Sequence, residues 1–215
     1  MPEPVARPPR RPPVIGLAGA IGAGKSTVAG ILGEAGCLVS DADRLAREVL
    51  AESDVVAELV SWWGSGVLDA DGRPDRRAIA EIVFADPEAR QRLEDLVHPR
   101  VHAARAAAFA SAPPNTPALV IDAPLLFEAG LAEACDAVVF VDAPRKTRIE
   151  RVARRGWDAA ELDRREAAQW PLDRKRTSAD HVVVNDADLA SLRTQVLEQL
   201  GRILSRSDES SSSSA

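Results

Sequence analysis

"VIGLAGAIGAGKSTVAGIL", residues 14–32, decides how the rest of the chain is read. A short apolar run gives way to a loop of small residues, and Lys-Ser-Thr then opens a helical pattern. Gly19, Gly24, Lys25 and Ser26 satisfy G-x-x-x-x-G-K-[ST], and the strand before and helix after supply the context that gives this motif its meaning. A glycine-rich loop brings backbone amides close to phosphate, and a helix start adds its positive end. The pattern therefore assigns ATP binding to Gly22, Ala23, Gly24, Lys25, Ser26 and Thr27, with Lys25 bridging the β- and γ-phosphates and Ser26 ligating Mg²⁺.

Four further β-branched runs extend this beginning into a fold: "CLVSD" (37–41), "ALVID" (118–122), "AVVFVD" (137–142) and "HVVVN" (181–185). Near-continuous apolar strands are buried on both faces, which calls for a parallel β-sheet covered by helices. The expected class is α/β, a P-loop nucleotide kinase fold. Its core would comprise 14–43, 117–145 and 178–204 within a domain spanning 14–206. Between the second and third strands, "DVVAELVSWWG", "RRAIAEIVF", "PEARQRLEDLV" and "RVHAARAAAFA" carry apolar residues at three- and four-residue intervals. They predict a helical insertion over about 44–112. Two arginine-rich helical patterns, ended by Gly156 and Pro171, predict a lid over about 146–176.

Composition removes several function classes. The 215 residues carry a net charge of −6, and aromatics make up 4% with no Tyr. Neither a broad electrostatic grip on nucleic acid nor a set of stacking platforms is expected. With no apolar run long enough to span a bilayer and no signal-peptide h-region, the reading is a cytoplasmic protein that binds small molecules, without nucleic-acid or membrane partners. Cys37 and Cys135 have no CxxC or His companions and read as small apolar fillers. The Pro/Arg-rich residues 1–13 and the Ser-rich 207–215 have too little apolar content to fold and are expected to be disordered tails.

The chain lacks the N-K-x-D segment that reads guanine, so ATP is the expected donor. The second strand ends in "SDAD", placing Asp41 and Asp43 at the edge where such sheets hold ligands. If this segment stays extended, both carboxylates share a face. Asp43 then reads in two ways: as the base that takes a proton from an attacking hydroxyl, or as the N-cap of the helical "RLAREVLA".

"VIGLAGAIGAGKSTVAGIL…VSDADRLAREVL", "DGRPDRRAIAEIVFADPEARQRLEDLVHPRV", "DAPLLFE", "VVFVDAPRKTRIERVARR" and "QWPLDRKRTSADHVVVN" follow one another in an order and spacing that closely resembles the dephospho-coenzyme A kinase family. The resemblance covers about Val14 to Asn185. It implies phosphorylation of the 3′-hydroxyl of the dephospho-CoA ribose by Mg-ATP. By position it makes Asp43 the catalytic base and Asp41 a carboxylate near the metal, with Lys25, Arg151 and Arg155 meeting the transferring phosphoryl group. His98, Pro124, Leu125, Glu128 and Lys175, together with Asp43, would contact the acceptor. Two departures stand out: Ala18 and Ala20 occupy positions where the family usually has Thr and Gly. Ala18 lacks a hydroxyl, and Ala20 requires a loop position without positive φ.

Plainer readings accompany several residues. Arg148 and Arg154 read as solvated or paired with Glu150 and Asp158, and Pro99 as interrupting the helix that carries His98 and His102. Those two histidines have no third ligand at metal spacing. Trp62 and Trp63 read as packing the insertion's core, and Trp157 as covering the lid hinge. The alternative function is another small-molecule kinase, of the shikimate or gluconate type, which "HPRV" and "DAPLLFE" speak against.

Overall fold

The computed structural model describes residues 11–212, and side chains up to Ser207. The expectations for residues 1–10 and 213–215 lie outside the described residues. Five strands, β1 (Val14–Gly19), β2 (Leu38–Asp41), β3 (Leu119–Asp122), β4 (Ala137–Asp142) and β5 (His181–Val184), form one sheet in the order β2-β3-β1-β4-β5. Each matches its sequence expectation to within one residue, because an unbroken apolar run can be buried on both faces only in the interior of a parallel sheet. All six residues of β1 are buried. Its parallel registers pair Leu17 with Asp122 of β3 and Gly19 with Val141 of β4, so the strands end along one edge. That edge positions the site.

The chain divides into two compact units, one made of residues up to Ser40 and from Ala112 onward, the other of Asp41–Ser111. The first contains α1 (Lys25–Glu34), which follows β1 and buries Val28, Ala29, Ile31 and Leu32.

The second unit is helical: α2 (Ala42–Leu50), α3 (Ser53–Trp63), α4 (Arg76–Ala85) and α5 (Pro87–Ala110). Leu45, Val49, Val55, Leu59, Val67, Ile79, Val97 and Val101 make its core, with Trp62 and Trp63 partly buried against it. Truncating a fully buried residue such as Leu59 to Ala should cost about 2–5 kcal/mol. Three helices here begin on an aspartate. Asp41 accepts from Arg44 N at 2.9 Å, Asp75 from Arg77 N at 2.8 Å, and Asp86 from Glu88 N at 2.8 Å. Pro99 does not interrupt its helix; α5 runs through it as one element where two had been expected. A proline removes one donor, but buried Val97 and Val101 hold the helix on either side, and Arg100 Nη1 donates to Leu96 O at 3.0 Å beside the gap.

Beyond residue 111 the first unit resumes, adding α6 (Arg145–Ala153), α7 (Ala159–Ala167), α8 (Leu172–Thr177) and α9 (Leu189–Ser212). The two expected arginine-rich helices are α6 and α7; α8 is a further one, too short to show periodicity. Leu192, Val196, Leu200 and Ile203 give α9 its buried stripe. The helix continues to Ser212, which corrects the expectation of an unfolded tail from residue 207. No helix among the described residues is long and apolar enough to cross a membrane.

Candidate active site

The phosphate loop is tied down on all sides. Ala20 N donates to Val141 O of β4 at 3.1 Å, and Ala23 N closes a turn onto Ala20 O at 3.0 Å. Gly22 and Gly24 have φ of 79° and 97°, while no non-glycine residue among those described has positive φ. Ala20 therefore sits where a Cβ is harmless, and the departure at that position is accommodated. A Cβ on Gly24 would collide with the side-chain amide of Asn185, whose Nδ2 donates to Ala23 O at 2.8 Å. Gly24 is also the N-cap of α1 and brings no side chain to the helix start. Ser26 and Thr27 are exposed there, at the positive end that favours an anion.

Lys25 Nζ is ion-paired with Asp122 Oδ1 at the end of β3. Asp122 is buried, at 8% exposure. Sequence reasoning missed this residue; an acidic residue ending a buried strand after a phosphate loop was the available signal. Asn185, at the end of the fifth apolar run, was also missed.

Arg151 and Arg155 share a cleft of about 480 Å³ with Gly22, Gly24, Ser26, Thr27, Arg154 and Asn185. Ala187, Leu189 and Leu192 form its apolar wall. Arg151 Nη1 donates to Ala23 O at 2.9 Å and Nη2 to Asn185 Oδ1 at 3.1 Å. Arg154 joins this lining. Arg148 is not solvated and does not pair with Glu150 or Asp158: it is 5% exposed and ion-paired with Glu166 of α7. Asp158 instead caps α7, accepting from Glu161 N at 2.7 Å. The reason is helical phase, since Arg148 lies one turn before buried Val152 on the inner face of α6. Trp157 lies under the Arg165 guanidinium, 4.0 Å from its ring centroid.

The "DAPLLFE" segment splits its roles. Pro124 and Leu125 are exposed, whereas Leu126 and Phe127 are buried. Phe127 stacks on Trp170 with centroids 5.7 Å apart, and the Arg174 guanidinium covers the other ring at 3.4 Å from its centroid. Glu128 Oε1 accepts from Trp170 N and from Lys175 Nζ, each at 2.8 Å. Burial raises the Glu128 pKa, but the Lys175 ammonium and the Trp170 amide lower it further, leaving it below its ordinary value. Lys175 is 1% exposed and also donates to Gln169 Oε1 at 2.8 Å. The structure thus brings Glu128 and Lys175 together as a buried ion pair.

In the helical unit, Asp41 rather than Asp43 is the cap of α2. The segment does not stay extended: Asp41 ends β2 and Asp43 stands, exposed, in the first helical turn. His98 is exposed on α5. His102 Nδ1 lies 3.0 Å from Arg105 Nη2, and burial followed by the charges of Arg105 and His98 holds its pKa below the usual value. No group of three or more His, Cys, Asp or Glu among the described residues is arranged to hold a metal ion.

Residues 13–191 match the sequence profile of the family described as dephospho-CoA kinase. A dephospho-CoA kinase of Anaeromyxobacter dehalogenans is 47% identical over 175 residues, covering 80% of this chain and 83% of that one. A solved protein of Thermus thermophilus is 37% identical with a TM-score of 0.78, covering 89% and 97% of the two chains. A dephospho-CoA kinase from Campylobacter jejuni, 23% identical with a TM-score of 0.63 over 90% and 98%, shares the fold.

Proposed function

The chain belongs to the dephospho-CoA kinase family, and from that premise we propose which of its residues carry the transfer of the ATP γ-phosphoryl group to the 3′-hydroxyl of the dephospho-CoA ribose, yielding coenzyme A and ADP. One observation supports this most: the family match spans residues 13–191, the range that holds the phosphate loop, Asp41–Asp43, His98–Pro99 and Pro124–Glu128.

Gly22 to Thr27 bind the ATP phosphates through backbone amides and the α1 terminus, while Ala187, Leu189 and Leu192 offer the base an apolar wall. Lys25 leaves Asp122 for the β- and γ-phosphates and neutralises charge on the departing phosphoryl group. Arg155, whose side chain opens into the cleft, adds to that field, and Arg151 does so while bracing the loop. Asp43 takes the proton from the attacking hydroxyl. Its exposure suits this role, and the capping role that competed for it belongs to Asp41. On the acceptor side, His98, Pro124 and Leu125 are exposed and suited to direct contact. Glu128 and Lys175 serve that side as a mutually neutralised pair that fixes the Trp170 segment.

Magnesium fits this chemistry. It is held by one or two side chains plus phosphate oxygens, and keeps several waters. Within the unit that carries the phosphate loop, the exposed Ser26 hydroxyl and the Asp122 carboxylate would hold it, and Asp41 is the further carboxylate that family membership suggests. Bound there, the ion would supply a divalent charge to offset that of the phosphates.

A mixed-acceptor assay tests the reading. With Mg-ATP and equal dephospho-CoA, shikimate and gluconate, dephospho-CoA should be the acceptor consumed; preferential phosphorylation of either competitor overturns the assignment.

A further inference from the structure

Three consecutive carbonyls of the phosphate loop face arginines of one helix. Arg148 Nη1 donates to Ile21 O at 3.4 Å, and Arg151 Nη1 reaches Gly22 O at 3.4 Å and Ala23 O at 2.9 Å. Within a planar trans peptide, a carbonyl and the next residue's amide point in opposite directions. Drawing the Ile21 and Ala23 carbonyls toward α6 therefore turns the Gly22 and Gly24 amides away from it, into the arrangement a phosphate needs. The backbones are also in close contact: a Cβ on Gly22 would lie 3.0 Å from Arg148 O and 3.1 Å from Val152 Cγ1.

Arg151 lines the nucleotide cleft itself, but Arg148 does not appear among the residues lining it. Arg148 is 5% exposed, donates through Nε to Ala143 O at 3.2 Å, and is ion-paired with Glu166 on α7. A guanidinium buried to this degree depends on its counter-charge, so where Arg148 sits depends on whether α7 is docked. We infer that Arg148 and Glu166 form a positioning pair that shapes the phosphate loop and makes affinity for a nucleoside triphosphate depend on the docking of α7. Neither residue lines the cleft. Arg148 acts through the Ile21 carbonyl, and Glu166 acts through Arg148. By reciprocity, nucleotide binding must then strengthen the docking of α7 by the same factor.

The inference rests on the cleft being the ATP site, so its test uses the whole chain and Mg-ATP alone, without acceptor. Failure to phosphorylate dephospho-CoA would overturn the acceptor assignment and leave this measurement intact. Calorimetry on Arg148→Gln should show Mg-ATP affinity weakened about tenfold, while KM for dephospho-CoA stays within about twofold. Mg-ATP should slow amide exchange across residues 159–167 in the natural protein but not in the variant. Glu166→Gln should weaken binding in the same direction, and the double variant should be no weaker than Arg148→Gln, because the two act as one unit. If Arg148→Gln does not fold, Arg148→Lys and Glu166→Gln carry the same comparison. Unchanged Mg-ATP affinity in a folded variant, tighter binding by Glu166→Gln, additive effects, or nucleotide protection of α7 that persists without Arg148 would each overturn the inference.

Discussion

The Lys25 ammonium is ion-paired with the Asp122 carboxylate, joining the phosphate loop to the end of β3. On the proposed reading a nucleotide draws Lys25 off this partner, exchanging a carboxylate for phosphate oxygens. Lys25→Ala should lower kcat by roughly 10²-fold or more, since the lost charge is one that matters most as the phosphoryl group leaves. The fold should survive, with a modest fall in Tm from the carboxylate left unpaired. Turnover near the natural level in a folded Lys25→Ala protein would contradict the assignment.

Asp41 and Asp43 separate by stability, since of the two only Asp41 caps a helix. Asp43→Asn keeps the size and much of the hydrogen bonding but cannot accept the hydroxyl proton, so kcat should fall by roughly 10²-fold with stability unchanged. Asp41→Ala removes the α2 cap and should cost about 1 kcal/mol of stability in urea unfolding. If Asp43→Asn keeps full kcat, another group is the base.

This pair also shows how far the sequence could be read. All five strands were legible because their apolar runs admit only a doubly covered sheet, and the phosphate loop was legible because its residues are contiguous. The helix boundary within "SDAD" was not: either aspartate can cap, and the choice depends on where β2 releases the chain. Nor were pairs made across the fold, such as Lys25 with Asp122 or Arg148 with Glu166. Local spacing offered Glu150 and Asp158 as partners for Arg148, and packing of the inner face of α6 overrode it.

Lys175 and Glu128 should make stability depend on pH. Lys175→Met strands a carboxylate in a mostly buried place, and a loss of about 2–3 kcal/mol is expected at neutral pH after allowing for its partial exposure. The Glu128 pKa lies below its ordinary value in the folded protein. Its contribution is therefore complete above the ordinary glutamate range and fades as pH falls through the lowered value. In the variant the ammonium is gone and only backbone amides such as that of Trp170 oppose burial, so the folded state takes up a proton more readily. The stability gap between the two proteins should narrow from pH 7 to pH 3.5 in urea unfolding; a constant gap would show that the pair contributes no charge term.

Although α9 continues to Ser212, the last buried residue among those whose side chains are described is Ile203. Deleting 207–215 should thus leave Tm and turnover nearly unchanged. A fall in Tm of several degrees would mean that the end of the helix is docked.

The position of the new phosphate tests the central claim most directly. Incubation of the chain with Mg-ATP and dephospho-CoA, followed by mass analysis and ³¹P NMR of the product, should show one added phosphoryl group on the ribose 3′-oxygen and ADP in equal amount. ADP released without a phosphorylated acceptor, or a phosphate mapped to any other oxygen, would contradict it.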